Sequence, residues 1–167
     1  MTDRRTLSTV EGPVTVAVVG AGHRATGYAS YALERPDRMR VVAVADPDAG
    51  RRRSLAEAHG IPAAMCFASY ADLAARPPVA DAVINGTMDR LHFASSLPLL
   101  ERGYHMLLEK PIAAAEAEVR ALIEAAQRMR RTGMICHVLR YAPFYVRVKE
   151  LLAAYKSKKL SPVEAVD

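Results

Sequence analysis

Cysteine is scarce in this sequence, and its scarcity excludes two common scaffolds. The chain has two cysteines among 167 residues. Cys66 and Cys136 stand seventy positions apart, and neither belongs to a Cys-x-x-Cys pair or to a cluster of cysteine and histidine. A disulfide framework and a structural zinc site are therefore not expected, and no other metal site is indicated. Both thiols are predicted to be reduced residues of the core.

Long apolar runs are also missing. No stretch approaches the roughly twenty apolar residues that a membrane-spanning helix requires. The pair Arg4-Arg5 is found in twin-arginine export signals, but such a signal needs its own apolar region and cleavage site. The next apolar run, residues 14–19, has the pattern of a core strand instead. Residues 1–12 are interpreted as a flexible lead-in, and the protein is expected in the cytoplasm.

Basic residues are plentiful but form no nucleic-acid motif. Lysine and arginine number 23 against 18 acidic residues, a net charge of +5, and the sequence pI is about 9.4. The basic clusters at residues 51–53, 128–131 and 156–159 each fall within a predicted helix or at its end, without interleaved aromatic residues. They are interpreted as solvated helix faces that modestly attract an anionic cofactor, and no RNA or DNA partner is expected.

Short apolar runs alternate with helical patterns along the chain. Hydrophobic residues make up 51% and charged residues 25% of it, as is ordinary for a soluble globular domain. Strands alternating with helices predict an α/β fold, a doubly wound parallel sheet with helices on both faces. Strands are predicted at 14–19, 41–45, 65–67, 82–85, 105–108 and 134–139, and helices after Gly22 and at 48–59, 70–75, 91–102, 114–131 and 142–156.

The first predicted strand ends in the pattern Gly20-x-Gly22-x-x-Ala25. Gly20 supplies a turn conformation that a β-carbon resists, Gly22 lets the backbone approach a pyrophosphate, and Ala25 is small enough for helix and strand to pack. Free N–H groups and the dipole at the helix start also favour phosphates. The pattern predicts a dinucleotide-binding loop, which also contains Ala21, His23 and Arg24.

The second predicted strand ends in Asp46, 21 residues beyond Ala25. A carboxylate there can accept hydrogen bonds from the adenosine ribose and repels a 2'-phosphate, so NAD is the expected cofactor. Alternatively, Asp46 merely caps the next helix. The order of strand, glycines, helix, strand and acid favours the cofactor interpretation. NADP stays possible through the arginines at 51–53, although these begin several residues later on a predicted helix.

In an open parallel sheet, ligands bind beyond the carboxyl ends of the strands. Besides the glycine loop and Asp46, this rule selects residues 85–88, 109–111 and 140–141. Lys110 is notable because it follows a strand and precedes a stiffening proline, where its ammonium can meet a substrate hydroxyl and serve as a general base. The alternative is a surface lysine paired with Glu109, which residue type alone favours.

The order of these motifs resembles the Gfo/Idh/MocA family of glucose-fructose oxidoreductase, inositol dehydrogenase and rhizopine catabolism proteins. The resemblance covers nearly all of residues 14–155, and the Glu-Lys-Pro at 109–111 is its most specific part. The motifs that carry it are Gly20-x-Gly22-x-x-Ala25, Asp46, Thr87 with His92 five residues on, the segment GYHMLLEKP at 103–111 and the segment HVLRYAPF at 137–144.

The resemblance implies a Rossmann-type NAD(P)-binding domain. Lys110 matches the family's catalytic or nicotinamide-adjacent lysine, with Glu109 and Pro111 shaping its loop. Thr87 and His92 match positions that flank the nicotinamide end of the cofactor. For His92 the alternative, a hydrogen-bonded packing residue, is favoured by residue type.

Two further segments enter the predicted site. Met88 lies in the same turn as Thr87 and is predicted to contact the cofactor. Arg140 is predicted at the cofactor as well, and together with Tyr141 it could meet a polyol or carboxylate substrate. Alternatively, an arginine at a strand end ties down a neighbouring loop.

Two departures from the family pattern stand out. Thr87-Met88-Asp89 occupies the place of a family Thr-Pro-Asn, although Asp89 can still cap the helix. The family also continues into a substrate domain that is absent here, and residues 162–166 would be its first strand. We therefore expect a lead-in at 1–12, a dinucleotide-binding domain at 13–142, and at 143–167 a linking helix with the start of the missing domain.

The leading functional hypothesis is the cofactor domain of an oxidoreductase that moves hydride between a sugar- or polyol-type hydroxyl and the nicotinamide. Lys110 would assist proton removal, and the chain by itself would show little or no turnover. One alternative is an NAD-dependent glycoside hydrolase of the same fold, and another is a non-catalytic nucleotide-binding module. Homo-oligomers are expected only with the second domain, and apolar surface is expected to be exposed along the closing helix and around residues 163–166.

Overall fold

The computed structural model describes residues 12–157. Within them, six strands form one sheet in the order β3-β2-β1-β4-β5-β6, and every neighbouring pair is parallel. The strands are β1 (Val14–Val19), β2 (Met39–Ala45), β3 (Cys66–Phe67), β4 (Ala82–Asn85), β5 (His105–Leu108) and β6 (Gly133–Ile135). The helices are α1 (His23–Ala29), α2 (Tyr31–Glu34), α3 (Ala49–His59), α4 (Tyr70–Ala74), α5 (His92–Arg102), α6 (Glu116–Arg128) and α7 (Pro143–Lys156), and short 3-10 turns lie at Ala63–Met65, Asp89–Leu91 and Val138–Arg140.

Both faces of the sheet are buried, because successive side chains of a strand point to opposite faces. From β1, Val16 and Val18 join one hydrophobic cluster, which includes residues of α1 and α3. Ala17 and Val19 join the other cluster, together with residues of α4, α5 and α6. The predicted doubly wound α/β fold is therefore confirmed.

The chain divides after Ile135 into two compact units. Among its described residues, the second unit holds the 3-10 turn Val138–Arg140 and α7. Helix α7 has no buried residue, and Phe144 on it is 70% exposed. The expected apolar exposure along the closing helix is confirmed, whereas residues 1–11 and 158–167, including the predicted strand at 162–166, lie outside the described residues.

Two predicted elements are shorter in the structure by more than one residue. The strand predicted at 134–139 ends at Ile135, because Ile135 pairs with Leu108, the last residue of β5, and β6 has no further partner there. The helix predicted at 114–131 begins only at Glu116, since the Glu118 carboxylate accepts the N–H groups of the two alanines before it. It ends at Arg128, two residues before Arg130 adopts a positive φ of 54°.

Among residues 12–157, none of the helices combines the length and apolar character that crossing a bilayer demands.

Asp81 ties the start of β4 to β1 at the amino ends of the strands. Its carboxylate accepts hydrogen bonds from Thr15 N at 2.8 Å and from Thr15 Oγ1 at 2.6 Å. These bonds hold the pKa of Asp81 below its ordinary value: the Thr15 hydroxyl has the largest effect, the Thr15 N–H follows, and the charge of His105 adds to them. Partial burial opposes the shift.

We expect Asp81→Asn to lower the free energy of unfolding by about 1 kcal/mol at neutral pH, since the bonds to the charged acceptor are weakened. A lowered folded-state pKa contributes stability above the unfolded value of about 3.9, and that stability is lost as the pH falls through the folded-state pKa. Urea unfolding at several pH values should therefore show the two proteins converging in acid. Asp89→Asn, at an exposed aspartate, controls for the lost charge; a difference that stays constant into acid would contradict the prediction.

Candidate functional site

The strand register brings the carboxyl ends of four strands together. Val19 of β1 pairs with Ala45 of β2 and with Asn85 of β4, which in turn pairs with Leu108 of β5. The chain order reverses between β1 and β4, which makes this pair the switch point where open α/β sheets bind ligands. The residues that follow the four strands, and so share this edge, are Gly20, Asp46, Gly86 and Glu109.

The loop after β1 lies directly against the loop after β4. Gly20 has a φ of +78°, and a β-carbon on it would lie 2.7 Å from the backbone nitrogen of Thr87. A β-carbon on Gly86 would lie 2.8 Å from the β-carbon of Ala25, which is fully buried. Only small residues allow the two loops and helix α1 to pack this closely.

Gly22, unlike Gly20 and Gly86, is not required by packing within the protein. It precedes α1 with an extended backbone, φ −79° and ψ 176°, that any residue can adopt, and a β-carbon there would meet no protein atom within 4 Å. No side chain caps α1, and its first turn carries no acidic residue. The backbone here is therefore open to an anionic group, with exposed His23 and Arg24 beside it. The loop fits the pyrophosphate of a dinucleotide.

Asp46 braces the glycine loop from the neighbouring strand. Its side chain is 4% exposed. Oδ2 accepts a hydrogen bond from Ala21 N at 2.7 Å, and Oδ1 accepts one from Asp48 N at 2.8 Å. The helix cap of α3 is Asp48, which accepts from Arg51 N, so the alternative that Asp46 caps this helix is wrong. Its contact with an adenosine ribose stays a prediction.

A buried polar network supports the loop after β4. The Asn85 amide donates to Ser95 Oγ at 2.8 Å and to Ser96 Oγ at 2.9 Å, and its oxygen accepts from Thr87 Oγ1 at 2.9 Å. Asn85 and both serines are fully buried, whereas Thr87 is partly exposed and Met88 is 67% exposed. This role of the two serines was not predicted, although adjacent serines on the inner face of an otherwise apolar helix were an available signal.

His92 joins two loops of the site. It is fully buried at the start of α5. Its Nδ1 contacts the carbonyl oxygen of Pro111, and its Nε2 lies 3.0 Å from the carbonyl oxygen of Thr87. This geometry is that of the hydrogen-bonded packing residue, and a cofactor contact stays a prediction. The predicted helix cap at Asp89 is wrong, because Asp89 lies inside a 3-10 turn and α5 has no side-chain cap.

The loop after β5 carries Lys110. Glu109 is 7% exposed; its Oε1 accepts a hydrogen bond from the Tyr28 hydroxyl, and its Oε2 accepts one from Lys110 N at 3.0 Å. Lys110 is exposed, and within residues 12–157 its ammonium forms no ion pair. The alternative of a lysine paired with Glu109 is therefore wrong. The Lys110–Pro111 peptide bond is cis. Nothing in the sequence alone pointed to Tyr28.

Arg140 and Tyr141 belong to the second compact unit. Arg140 ends the 3-10 turn Val138–Arg140, and both side chains are exposed. Their predicted contacts with cofactor and substrate stay predictions. Among the described residues, no group of three or more histidine, cysteine or acidic side chains could hold a metal ion.

The strand order, the glycine loop at the switch point and the buried aspartate define a dinucleotide-binding Rossmann domain. The model of the Gfo/Idh/MocA oxidoreductase family, NAD-binding Rossmann fold, matches residues 14–138. The chain belongs to this family, as its motifs had predicted, and the matched part is the family's NAD-binding domain.

Individual relatives agree with this assignment. The chain is 35% identical over 113 residues to a trans-1,2-dihydrobenzene-1,2-diol dehydrogenase of Xenopus laevis, a match that covers 68% of this chain and 33% of the relative. It is 33% identical over 142 residues to inositol 2-dehydrogenase 1 of Saccharopolyspora erythraea, covering 84% and 42%. The WlbA dehydrogenase of Chromobacterium violaceum, crystallised with NADH and UDP-GlcNAcA, superposes with a TM-score of 0.75 at 25% identity, covering 89% and 41%. The chain thus spans about a third to two fifths of the length of these proteins.

We expect Gly22→Val to weaken NADH binding roughly tenfold or more without lowering the unfolding temperature. A β-carbon at this position would meet no protein atom within 4 Å, but the valine side chain would occupy the space through which a pyrophosphate approaches the backbone. Isothermal titration and thermal unfolding of the 167-residue chain measure the two effects. Gly27→Ala, also free of contacts and on the same helix, should bind NADH normally. Unchanged affinity in Gly22→Val would contradict the prediction.

Gly20→Ala should behave in the opposite way. Its β-carbon would clash with the backbone of residues 86 and 87, and its positive φ is strained for alanine. The variant should therefore show a lower thermal unfolding temperature in the absence of any ligand. An unfolding temperature equal to that of the wild type would contradict the packing described above.

Proposed function

We propose that this chain is the NAD-binding part of a dehydrogenase that transfers hydride between a carbon bearing a sugar- or polyol-type hydroxyl and the nicotinamide. The observation that carries the proposal is the Lys110 loop. It follows β5 on the same edge as the glycine loop, and both oxygens of Glu109 fix it while the ammonium stays exposed. The names of the diol and inositol dehydrogenases that the chain resembles support the substrate class.

Each part of the dinucleotide has residues suited to it. The N–H groups of the glycine loop, residues 20–25, bind the pyrophosphate, and the Asp46 carboxylate accepts from the adenosine ribose. Thr87 and Met88, on the loop after β4, lie at the nicotinamide end, with His92 holding that loop to Pro111.

Lys110 acts on the substrate hydroxyl. The bound nicotinamide supplies the hydride acceptor. Lys110 would accept the hydroxyl proton while the hydride leaves the carbinol carbon, so the substrate would become a carbonyl compound and the lysine would carry the proton. Glu109 holds the backbone of Lys110, which fixes where its side chain begins.

The protein works on a small-molecule substrate in the cytoplasm under this proposal. Cys66 is a free thiol, as suits a reducing compartment.

In the complete gene product that carries this chain, Lys110→Ala should reduce kcat by about 10²–10⁴, the usual contribution of a positioned acid or base. The Kd for NAD should stay within about twofold, because Lys110 makes no contact with the glycine loop in the proposal. Lys110→Arg, which keeps the charge but is a poor base, should be nearly as slow. Equal loss of NAD affinity and kcat would instead make Lys110 a cofactor anchor.

The same assay separates the dehydrogenase from the glycoside hydrolase. A panel of polyols and sugars should give net NADH formation, whereas an aryl glycoside should release no aglycone. Aglycone release without net NADH would reject the proposed reaction.

The 167-residue chain should bind NADH at least about tenfold more tightly than NADPH. The Asp46 carboxylate is held at the end of β2 by two backbone N–H groups, where its charge repels a 2'-phosphate. Titration with both cofactors measures the preference, and titration of Asp46→Ser should show it reduced. Tighter binding of NADPH by the wild type would overturn the assignment, and would direct attention to Arg52, which donates to the carbonyl of Asp46.

A further inference from the structure

The polar network below the loop after β4 fixes the hydrogen-bonding character of Thr87. We propose that Asn85 and Ser95 are positioning residues that make the Thr87 hydroxyl a hydrogen-bond acceptor only, and that this acceptor binds an N–H or O–H group on the nicotinamide-ribose half of NAD. The inference rests on the placement of the nicotinamide under the proposed function, and adds to it the two buried residues and the direction of the bond.

The nitrogen and the oxygen of the Asn85 side-chain amide both have hydrogen-bond partners already. Its amide nitrogen donates to Ser95 Oγ at 2.8 Å and to Ser96 Oγ at 2.9 Å, which uses both of its hydrogens. Its oxygen therefore faces Thr87, at 2.9 Å from Oγ1 and 3.2 Å from the backbone nitrogen. Because the donors and acceptor are all engaged in the buried interior, the amide cannot reverse its orientation without leaving buried groups unpaired.

The single hydrogen of the Ser95 hydroxyl already has an acceptor. Its hydroxyl donates to the carbonyl oxygen of Leu91, directly before helix α5, at 2.8 Å. The Ser95 oxygen is then an acceptor toward both of its other partners, the Asn85 amide and Thr87 Oγ1, which lies 3.1 Å away. Ser95 therefore offers no hydrogen to Thr87.

The hydroxyl of Thr87 donates its hydrogen toward the interior. Both polar side chains that contact its hydroxyl, Asn85 through Oδ1 and Ser95 through Oγ, are acceptors, so the hydroxyl hydrogen points inward to one of them. Thr87 Oγ1 therefore presents only its lone pairs to a ligand. The residue is partly exposed, and it follows β4 at the switch point against Gly20, so this acceptor lies on the cofactor edge.

An acceptor at this position selects its ligand by chemistry. The pyrophosphate of NAD carries only acceptors, and two acceptors do not bind each other. The donors of the cofactor near the switch point are the carboxamide N–H groups of the nicotinamide and the hydroxyls of its ribose. Both belong to the half of NAD that reacts, so Thr87 contributes to binding that half and not the adenosine diphosphate half.

Thr87→Val tests the acceptor, because it keeps the shape of the side chain and removes the hydroxyl. We expect the 167-residue chain to lose roughly three- to tenfold in affinity for NADH, as for one hydrogen bond, with affinity for ADP unchanged. Thr87→Ser, which restores the hydroxyl, should recover NADH binding. ADP-ribose distinguishes the two donors: a weakened complex identifies the ribose hydroxyl, and an unchanged one identifies the carboxamide.

Ser95→Ala tests the positioning role, with Ser96→Ala as its matched control. Both serines are fully buried on α5 and accept from the same amide, but only Ser95 contacts Thr87. Both variants should lose stability, whereas only Ser95→Ala should lower the ratio of NADH to ADP affinity. Its effect should add little in a protein that already carries Thr87→Val, because it acts through that hydroxyl.

Several outcomes would overturn the inference. An equal loss of NADH and ADP affinity in Thr87→Val, or full additivity of the two substitutions, would reduce the network to a purely structural role. A Ser95→Ala chain that fails to fold leaves Thr87→Val and Thr87→Ser to decide the result, and normal NADH binding by Thr87→Val would reject it. A wild-type chain that binds ADP but not NADH would reject the placement of the nicotinamide and the proposed function together.

Discussion

The site depends on the close approach of two backbone loops at the switch point. Gly20 and Gly86 have no side chains because each would otherwise collide, the first with the loop after β4 and the second with Ala25 of α1. The contact joins the carboxyl ends of β1 and β4 to the first turn of α1. Packing this tight tolerates no added methyl group without movement of backbone, so the positions of the phosphate loop and of Thr87 are set by one constraint.

Buried carboxylates serve this edge as braces for backbone N–H groups. Asp46 holds Ala21 N and Asp48 N, and Glu109 holds Lys110 N together with the Tyr28 hydroxyl. A charged acceptor forms stronger hydrogen bonds than a neutral one. Moving either carboxylate away from its donors would lose these bonds. Each acidic residue therefore orders a loop that precedes or follows it, and the ammonium of Lys110 is left exposed instead of being neutralised by its neighbour.

Local sequence determined most of the fold and the outline of the site. Strands β4 and β5 begin and end where the apolar runs at 82–85 and 105–108 predicted, because apolar runs bounded by turn residues need no distant information. The glycine loop and Asp46 were recognisable from spacing for the same reason. The end of β6 was not, since it depends on where β5 stops providing a partner.

The bonds that organise the site join residues far apart in sequence, and no local pattern predicts them. Tyr28 and Glu109 are separated by 81 positions, and no pattern in either segment predicts contact with the other. The Asn85 network spans only 11 positions, but predicting it required knowing that Ser95 and Ser96 face inward. Sequence spacing identified which residues reach the edge, whereas tertiary packing decided which of their atoms stay available to a ligand.

Helix α1 connects the three parts of the edge. Gly22 opens its first turn to phosphate, Ala25 packs on Gly86, and Tyr28 holds Glu109. Gly22 stands directly before α1, whereas Ala25 and Tyr28 lie three apart within it, on neighbouring positions of the helix surface. One helix of seven residues therefore contacts both the loop after β4 and the Lys110 loop, and it begins at the glycine loop. Fewer than two helical turns separate Gly22 from Tyr28, so these three parts of the edge are ordered by one short element.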